Sequence, residues 1–364
     1  MRIGCVSDVC LGYGSPQIPE LITSLSDYYS AENLVVEPNR PELPPCHNAF
    51  PRLRIHRAAN VFSPYTPPGR TEYLIEAARV IRDYRPDLLV ICCTYSLPVL
   101  FKLSVRPPFV IYYSYESIPF YGDFDMEMNR QLDGMIDLVI FPEENRAIRE
   151  IERFGFRGAA KAVLYNCSDL SDLQAEPADS RNGRVIYFGV IDPVATLAAY
   201  YTEPEVQRFP IDLYGSICVA SDAERKCFLQ KLGGRIRYCG QLRRRELEAV
   251  RKKYAYSLVI WNPTVENQLY AAPNKFFESI ADGVPPIAAP HPQCKMLIER
   301  YGCGLLMPDW SLNGLCFTLE KALRWYARPR WREMIHNCER AVRQELNWPQ
   351  QFEKLKPHLR RIAT

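Results

Sequence analysis

The chain has 364 residues, of which 47% are hydrophobic and 24% charged, and its formal net charge is +3. This length suits two hydrophobic cores, and the composition is that of a globular protein. The near-neutral charge argues against a dedicated nucleic-acid-binding protein, which carries a strong basic excess. The sequence contains no run of about 18–20 apolar residues that could cross a bilayer.

Thirteen cysteines and five histidines could suggest a metal or redox site, but their spacing does not. The sequence has no C-x-x-C pair, and the histidines show no metal-ligand spacing. We therefore expect reduced cysteines that serve packing, and no bound metal ion.

The two ends of the chain bear on its location. The first residues, 1–6, predict a buried strand and not the apolar stretch of a signal peptide, so we expect a cytoplasmic protein. The basic segment 354–361 could touch an anionic membrane at its inner face, or it could be a solvated helix end.

The first half alternates short apolar runs with longer amphipathic ones, which is typical of a parallel α/β sheet. Helices are predicted over 16–29 and 69–83, where apolar residues recur at helical spacing. Strands are predicted over 3–7, 34–37, 88–93, 109–113 and 138–141.

The second half repeats this rhythm after a polar, acidic segment, 166–183, which we interpret as an interdomain linker. Three of its predicted strands end at a glycine, namely Gly189, Gly215 and Gly240. Glycine lets backbone approach a ligand closely at the carboxyl ends of parallel strands. The predicted strands cover 185–188, 211–214, 235–239, 258–261 and 286–289, and the predicted helices cover 246–254 and 274–282.

The segment 272–285, with the sequence APNKFFESIADGVP, carries the most specific pattern. Pro273 suits the first turn of a helix, where its missing N–H is not needed. The amino end of that helix offers free N–H groups and a partial positive charge to a diphosphate. Lys275 adds a full positive charge in the same turn.

This pattern resembles the retaining glycosyltransferases of the GT-B fold, particularly family 4, whose members commonly show PNKxFExMAxGxPVIA after a strand and a loop. The later residues 303–306 match a glycine-containing strand of that family. The resemblance is specific over 254–308, weaker over 183–250, and only architectural over 1–165.

The resemblance implies an α/β protein of the GT-B class, with two Rossmann-like domains whose parallel sheets face each other across a cleft. We expect residues 1–170 to bind the acceptor and 183–344 to bind the donor. The helix in 345–364 is expected to cross back to the first domain, with Trp348 as a packing anchor.

The implied activity is transfer of a sugar from a nucleoside diphosphate sugar to a hydroxyl group. The acceptor would be a glycan, a lipid-linked compound or a small molecule in bacterial-type polysaccharide or glycoconjugate assembly. Retention at the anomeric carbon is a family expectation, and we expect no metal ion and no cofactor beyond the nucleotide-sugar co-substrate.

The resemblance also assigns donor-binding roles. It implies that Glu278 accepts hydrogen bonds from the ribose 2′- and 3′-hydroxyls and that Lys275 stabilises the departing diphosphate. The turn at Gly240 resembles one that holds the nucleotide base. The predicted donor-binding set is Gly12, Gly14, Gly189, Gly215, Gly240, Gln241, Leu242, Glu266, Asn267, Tyr270, Ala271, Ala272, Pro273, Asn274, Lys275 and Glu278.

The chain departs from the family pattern in two places. Tyr270 stands where many members have a second glutamate that contacts the transferred sugar, and Glu266 and Asn267 are candidate substitutes. The loop 190–193 lacks the cation that often grips the diphosphate, which an arginine from 243–245 could supply.

The candidate catalytic residues are Lys275, Glu116 and Asp8. Glu116 follows the predicted strand 109–113, where relatives place a histidine or an acid facing the reacting sugar, and it could orient the acceptor hydroxyl or receive its proton. Asp8 follows the first strand, beside a Gly-Tyr-Gly turn at 12–14 that resembles the family's glycine-rich loop. Glu116 could also be a loop residue bonded to backbone.

Three alternatives remain open. A noncatalytic GT-B subunit that binds a nucleotide sugar or a glycan is compatible with Tyr270. A sugar-nucleotide epimerase would need a histidine and several acids, and only His291 lies near the donor loop. An NAD-dependent oxidoreductase is disfavoured because no G-x-G-x-x-G follows a strand.

Overall fold

The computed structural model of the chain describes residues 1–117, 126–167, 169 and 177–359, with the backbone alone for 126–129. The chain divides into two compact units. The first contains Met1–Tyr165 together with Phe352–Thr364, and the second contains Asn166–Gln351. Part of the expected linker, residues 168 and 170–176, lies outside the described residues.

The first unit is built on a seven-stranded sheet whose strands all run parallel. The strands are β1 Arg2–Val6, β2 Glu32–Glu37, β3 Ile55–Arg57, β4 Leu88–Cys92, β5 Phe109–Tyr113, β6 Leu138–Phe141 and β7 Ala160–Val163. They lie in the order β3-β2-β1-β4-β5-β6-β7. The helices are α1 Gln17–Tyr29, α2 Pro67–Tyr84, α3 Cys93–Ser96, α4 Met126–Asp133 and α5 Glu144–Phe154.

The second unit repeats this plan with a six-stranded parallel sheet. The strands are β8 Asn182–Phe188, β9 Ile211–Tyr214, β10 Ile236–Gly240, β11 Tyr254–Val259, β12 Pro286–Ala288 and β13 Leu305–Leu306, in the order β10-β9-β8-β11-β12-β13. The helices are α6 Pro204–Gln207, α7 Asp222–Lys231, α8 Arg244–Arg251, α9 Glu266–Leu269, α10 Asn274–Ala281, α11 Pro292–Tyr301, α12 Leu312–Trp325, α13 Pro329–Gln344 and α14 Trp348–Leu359.

The central strands form the cores because they are apolar on both faces, as parallel strands covered by helices must be. All five residues of β4 are buried, and so are all six of β11. In the second unit, Trp331 of α13 is 1% exposed and its indole N–H donates to Ala255 O at 3.0 Å. This bond satisfies the one polar atom of the largest buried side chain.

The last helix, α14, begins in the second unit, and its residues from Phe352 onward belong to the first. There the Tyr29 hydroxyl donates to Leu359 O at 2.5 Å, and the Lys354 ammonium lies 4.4 Å from the centre of the Tyr165 ring. Trp348, expected as a packing anchor, is 3% exposed. Residues 360 and 361 of the basic segment lie outside the described residues.

The predicted bounds of the two elements around residue 254 are wrong. The helix expected over 246–254 ends at Arg251, and the strand expected over 258–261 begins at Tyr254 and ends at Val259. The reason is that Tyr254 pairs with the start of β8, where it is buried, so tertiary pairing sets the boundary. None of the helices in the described ranges has the length and apolar content required of a membrane span.

Candidate functional site

The carboxyl ends of β8, β9 and β10 bring the three predicted glycines together. Gly189 N–H donates to Tyr214 O, and Gly215 N–H donates to Gly240 O, both at 2.9 Å. A Cβ at Gly215 would lie 1.7 Å from Gly189 O, so no side chain fits there. Gly240 has a φ of +82°, and within the described residues no atom lies within 4 Å of its Cβ position. Backbone thus packs tightly at Gly215 and is open at Gly240.

Lys275 lies at the point where the strand order of this sheet reverses, between β8 and β11. Its ammonium lies 4.0 Å from the ring centre of Tyr187 on β8 and 4.2 Å from that of Trp261, which follows β11. It is also 3.5 Å from the Cβ position of Gly189. Ligands of open α/β sheets bind at such reversal points, because the crevice there is lined by the carboxyl ends of two diverging strands.

The Lys275 side chain is buried without a counter-charge in contact. The residue is 8% exposed, and within the described part of the chain its Nζ forms no ion pair and no hydrogen bond. Burial lowers its pKa to about 7, against the opposing effect of Glu278. Two aromatic ring faces partly replace the missing carboxylate through cation–π attraction. An ammonium held in this way is a site for an incoming anion.

Glu278, one turn further along α10, is engaged by an arginine. Its Oε2 accepts a hydrogen bond from Arg251 Nη1 at 2.8 Å, and Arg251 Nε donates to Asp282 at 2.7 Å. The Glu278 side chain remains 18% exposed. Burial raises the pKa of Asp282 to about 6, while Arg251 opposes that shift. The guanidinium therefore joins two carboxylates on one helix face.

Helix α10 is held at its carboxyl end, whereas its amino end has a polar atom without a hydrogen bond from the described residues. At its carboxyl end, buried Arg181 donates to Gly283 O at 2.7 Å and to Asp282 O at 3.3 Å, which satisfies carbonyls that the helix leaves open. At its amino end, the Asn274 Oδ1 atom is buried and accepts no hydrogen bond from the described residues. The amino end of α10 therefore has a polar atom available besides its N–H groups.

The loop before α10 contains the other predicted sugar-contact residues, Glu266, Asn267 and Tyr270, all half-buried. The first two begin α9, and Tyr270 ends it. Beyond them, Ala272 O accepts from Asn166 Nδ2 at 2.8 Å. Ala271 and Pro273 complete the segment.

His291 is completely buried and supports this loop through hydrogen bonds. Its Nε2 accepts from Trp261 N–H at 3.2 Å, and its Nδ1 donates to Leu269 O at 3.3 Å. Burial lowers its pKa to about 4. His291 is therefore a neutral support that connects the Trp261 loop to α9.

The turn after β10 is more open. Gln241 is exposed and Leu242 is half-buried. The arginines at 243–245 are all exposed, and Arg244 pairs with Glu248 at 3.1 Å. These three arginines lie on a solvated helix start.

In the first unit, Asp8 and the loop that contains Glu116 both follow the carboxyl ends of strands, β1 and β5 respectively. Asp8 is 5% exposed, and its Oδ1 accepts a hydrogen bond from the Tyr115 hydroxyl. Tyr115 O in turn accepts from buried Arg146 at 2.7 Å. Glu116 is half-buried, and its backbone O accepts from Ser114 Oγ at 3.3 Å. Asp8 is therefore held by hydrogen bonds that run through Tyr115 to Arg146, and Glu116 is the next residue in the chain after Tyr115.

The glycine-rich turn after Asp8 is positioned by Glu37, which is completely buried at the end of β2. Its carboxylate accepts from Leu11 N–H at 2.7 Å and from Arg57 Nε at 2.8 Å. Gly12 packs closely, since a Cβ there would lie 2.8 Å from Cys46 Cβ. Gly14 has no atom of the described residues within 4 Å of its Cβ position.

Several residues of these networks carried no signal in the sequence. Tyr187, Trp261 and Arg251 contact the helix residues Lys275 and Glu278, yet all three lie on other elements. Trp261 was predicted as the last residue of a strand, and no binding role was predicted for any of the three. Among the described residues, no group of three or more His, Cys, Asp and Glu side chains could hold a metal ion.

Comparison with known proteins defines the fold. No protein-family model matches the sequence, and no curated protein matches it. Among solved structures, HepE from Anabaena in complex with UDP superposes with a TM-score of 0.74 at 14% identity, over 99% of this chain and 100% of that chain. HepE was also solved with UDP-glucose.

Two further structures are similar over nearly their whole length. Sucrose-phosphate synthase from Thermosynechococcus elongatus gives a TM-score of 0.71 at 15% identity, over 100% of this chain and 99% of that chain. WaaG, a glycosyltransferase involved in lipopolysaccharide biosynthesis, gives 0.65 at 11% identity, over 97% and 98%. The predicted fold class is confirmed: the chain has the GT-B fold, with two α/β units that each contain a parallel sheet.

Proposed function

We propose that this protein is a glycosyltransferase that moves a sugar from a nucleoside diphosphate sugar to a hydroxyl acceptor. The observation that carries the proposal is the buried ammonium of Lys275, held between the rings of Tyr187 and Trp261 with no carboxylate in contact among the described residues. Burying a cation is costly unless an anion accompanies it. A diphosphate at this place supplies that anion.

The chemistry follows from charge. Breaking the bond between an anomeric carbon and a diphosphate leaves an oxocarbenium-like sugar and a departing dianion or trianion. Lys275 and the N–H groups that open α10 provide positive charge for that leaving group, so the proposal needs no metal ion. The attraction between these positive groups and the diphosphate strengthens as negative charge develops on the leaving group, and this lowers the transition-state barrier.

The structural neighbours support the choice of donor. HepE is similar in fold and was crystallised with UDP and with UDP-glucose. The sequence resemblance over 254–308 supports the same class of donor and retention at the anomeric carbon. We place donor binding in the second unit and acceptor binding in the first, where Asp8 accepts a hydrogen bond from Tyr115, the residue before Glu116.

An epimerase acting on the donor alone is less well supported. Its natural acid–base candidate, His291, is buried, and both ring nitrogens are engaged by backbone groups. A histidine with a pKa of about 4 that bonds on both sides has no capacity to exchange a proton with a substrate.

The proposal is tested by thermal unfolding with UDP-, GDP-, dTDP-, ADP- and CMP-linked sugars. One nucleotide class should raise the Tm of the wild-type protein by about 5–10 °C at a hundred times its Kd. Lys275→Ala should abolish that rise because it removes the cation, and Glu278→Ala should reduce it.

A matched control separates the site from general effects of charge. Lys321 also stacks on a tryptophan of the second unit, with its ammonium 4.7 Å from the Trp325 ring. Lys321→Ala should therefore keep the full nucleotide-induced rise. If no nucleotide sugar changes the Tm of the wild-type protein, or if both lysine variants respond like it, the proposed donor site is wrong.

A further inference from the structure

Two carboxylates of α10 share one guanidinium, in a geometry that leaves one oxygen open. Arg251 Nε bonds Asp282 at 2.7 Å while its Nη1 bonds Glu278 Oε2 at 2.8 Å. Within the described part of the chain, Glu278 Oε1 accepts no hydrogen bond. One oxygen of this carboxylate is thus fixed, and the other remains available.

The guanidinium is itself held from several sides. Arg251 is 6% exposed, and its Cζ lies 5.0 Å from the ring centre of Phe188, the last residue of β8. Asp282 is 3% exposed. Because the guanidinium is planar, two bonds through different nitrogens together with a ring contact fix its orientation. A fixed guanidinium in turn fixes the Glu278 side chain, which otherwise rotates about three bonds.

The same three residues explain why the cation has to be an arginine. Glu278 and Asp282 lie one turn apart on α10, so their carboxylates repel each other when both are charged. An ammonium presents a single point charge, whereas the guanidinium fork reaches both carboxylates at once.

We propose that Arg251, braced by Asp282, is a positioning residue that holds Glu278 so that Oε1 faces the ribose diol of the donor, and that this sets the preference for ribonucleotides over 2′-deoxyribonucleotides. The inference rests on the proposed function, since it assigns Glu278 to the ribose. It adds that Arg251 and Asp282 determine the geometry of that contact, and that the contact selects donors with a ribose.

The preference follows from hydrogen bonding to a charged acceptor. A 2′-deoxynucleotide lacks one hydroxyl donor, so the pre-oriented carboxylate loses one charge-assisted bond and keeps its desolvation cost. We expect the 2′-deoxy analogue to bind the wild-type protein about tenfold more weakly or worse. With Glu278 no longer oriented, both nucleotides should bind with similar Kd values.

Calorimetry with UDP, GDP and ADP and with their 2′-deoxy counterparts tests the inference. In Arg251→Lys, which keeps the charge and loses the fork, the ratio of the two Kd values should fall from about tenfold to about twofold or less. The Kd for inorganic pyrophosphate should stay within about twofold of the wild-type value, because Lys275 is untouched. A merely structural role of Arg251 would weaken both ligands alike.

Two further variants complete the design. Asp282→Asn removes the charge that braces Arg251 and should lower the ratio in part, so the inference can be tested even where Arg251→Lys does not fold. Arg225→Lys, the same exchange at an exposed residue of α7, should leave the ratio unchanged. A wild-type protein that binds a nucleotide without ribose preference, or an Arg251→Lys variant that keeps the preference, overturns the inference alone. If none of the six nucleotides binds the wild-type protein, the inference is overturned, and the proposed function is overturned with it when no nucleotide sugar of the thermal unfolding series raises the Tm.

Discussion

At the scale of single residues, Lys275 and its two aromatic neighbours determine how the site responds to charge. An ammonium enclosed by Tyr187 and Trp261 loses hydration that only an anion restores in full. Glu278 favours the ammonium form of Lys275, whereas burial opposes it, and burial also lowers the pKa of nearby His291 to about 4. The charge state of Lys275 is therefore set mainly by burial and by the bound ligand.

This arrangement predicts a pH dependence of ligand binding. Because the pKa of Lys275 is about 7 in the free protein, a diphosphate must draw a proton onto it at higher pH. The affinity of the wild-type protein for pyrophosphate should fall by about tenfold between pH 8 and 9 and by a smaller factor between pH 7 and 8. In Lys275→Met the affinity should change very little over the same range. Calorimetry in buffers of different ionisation enthalpy should show proton uptake on binding. A pH-independent Kd in the wild-type protein contradicts the assignment.

Protein stability should follow the opposite trend over the same range. The pKa of Lys275 is lowered from 10.5 to about 7 by folding, so between these values the unfolded chain binds more protons than the folded one. Stability conferred by this residue therefore rises with pH across that window. The two trends are distinguishable because one needs ligand and the other does not.

Some residues of the candidate site could be predicted from the sequence, and others could not, for a physical reason. Lys275 and Glu278 belong to a local pattern on one helix, and such spacing is visible in a sequence. Their partners Tyr187, Trp261 and Arg251 come from β8, from the segment after β11 and from α8. Which side chains meet across a sheet depends on strand order and register, and neither is encoded in a short segment.

At the scale of elements, continuous apolar runs predicted the central strands well. The predicted strands Phe109–Tyr113, Leu138–Phe141 and Ile211–Tyr214 agree with the observed bounds. The strands that were missed are short edge or near-edge strands such as Ile55–Arg57, all three residues of which are only half-buried. Edge strands form by pairing with a neighbour more than by burying their own side chains, so their sequences carry little apolar signal.

The glycines that follow β8 and β9, Gly189 and Gly215, allow a test of how tightly the two strand ends pack. In Gly215→Ala, the new Cβ would lie 1.7 Å from Gly189 O, at a φ of +141°, so the two strand ends must separate. We expect a loss of about 2–4 kcal/mol in the free energy of unfolding, measured in urea, together with weaker nucleotide binding. Gly158→Ala is the control, because no atom of the described residues lies within 4 Å of its Cβ position. A Gly215→Ala protein as stable as this control contradicts the packing argument.

At the scale of the whole molecule, the two units share one topology. The order β3-β2-β1-β4-β5 of the first sheet corresponds to the order β10-β9-β8-β11-β12 of the second. Each sheet therefore has a reversal point beside its first strand, followed by Asp8 in one unit and by Gly189 in the other. Two units of one topology would suit the two substrates of the proposed glycosyl transfer, one substrate at each reversal point.

That division of labour predicts separable effects on binding and turnover. Glu116→Gln in the first unit should slow the reaction by about a hundredfold or more, because its carboxylate is proposed to receive the acceptor proton. The measured rate is the release of nucleoside diphosphate from the donor, whether the sugar passes to the acceptor or to water. The donor Kd should remain that of the wild-type protein, because the proposed nucleotide contacts belong to the second unit. The control is Glu42→Gln, an exposed acid of the same unit that pairs with Arg40. Unchanged turnover in Glu116→Gln removes this residue from the reaction, and a parallel change in donor Kd contradicts the separation of roles between the units.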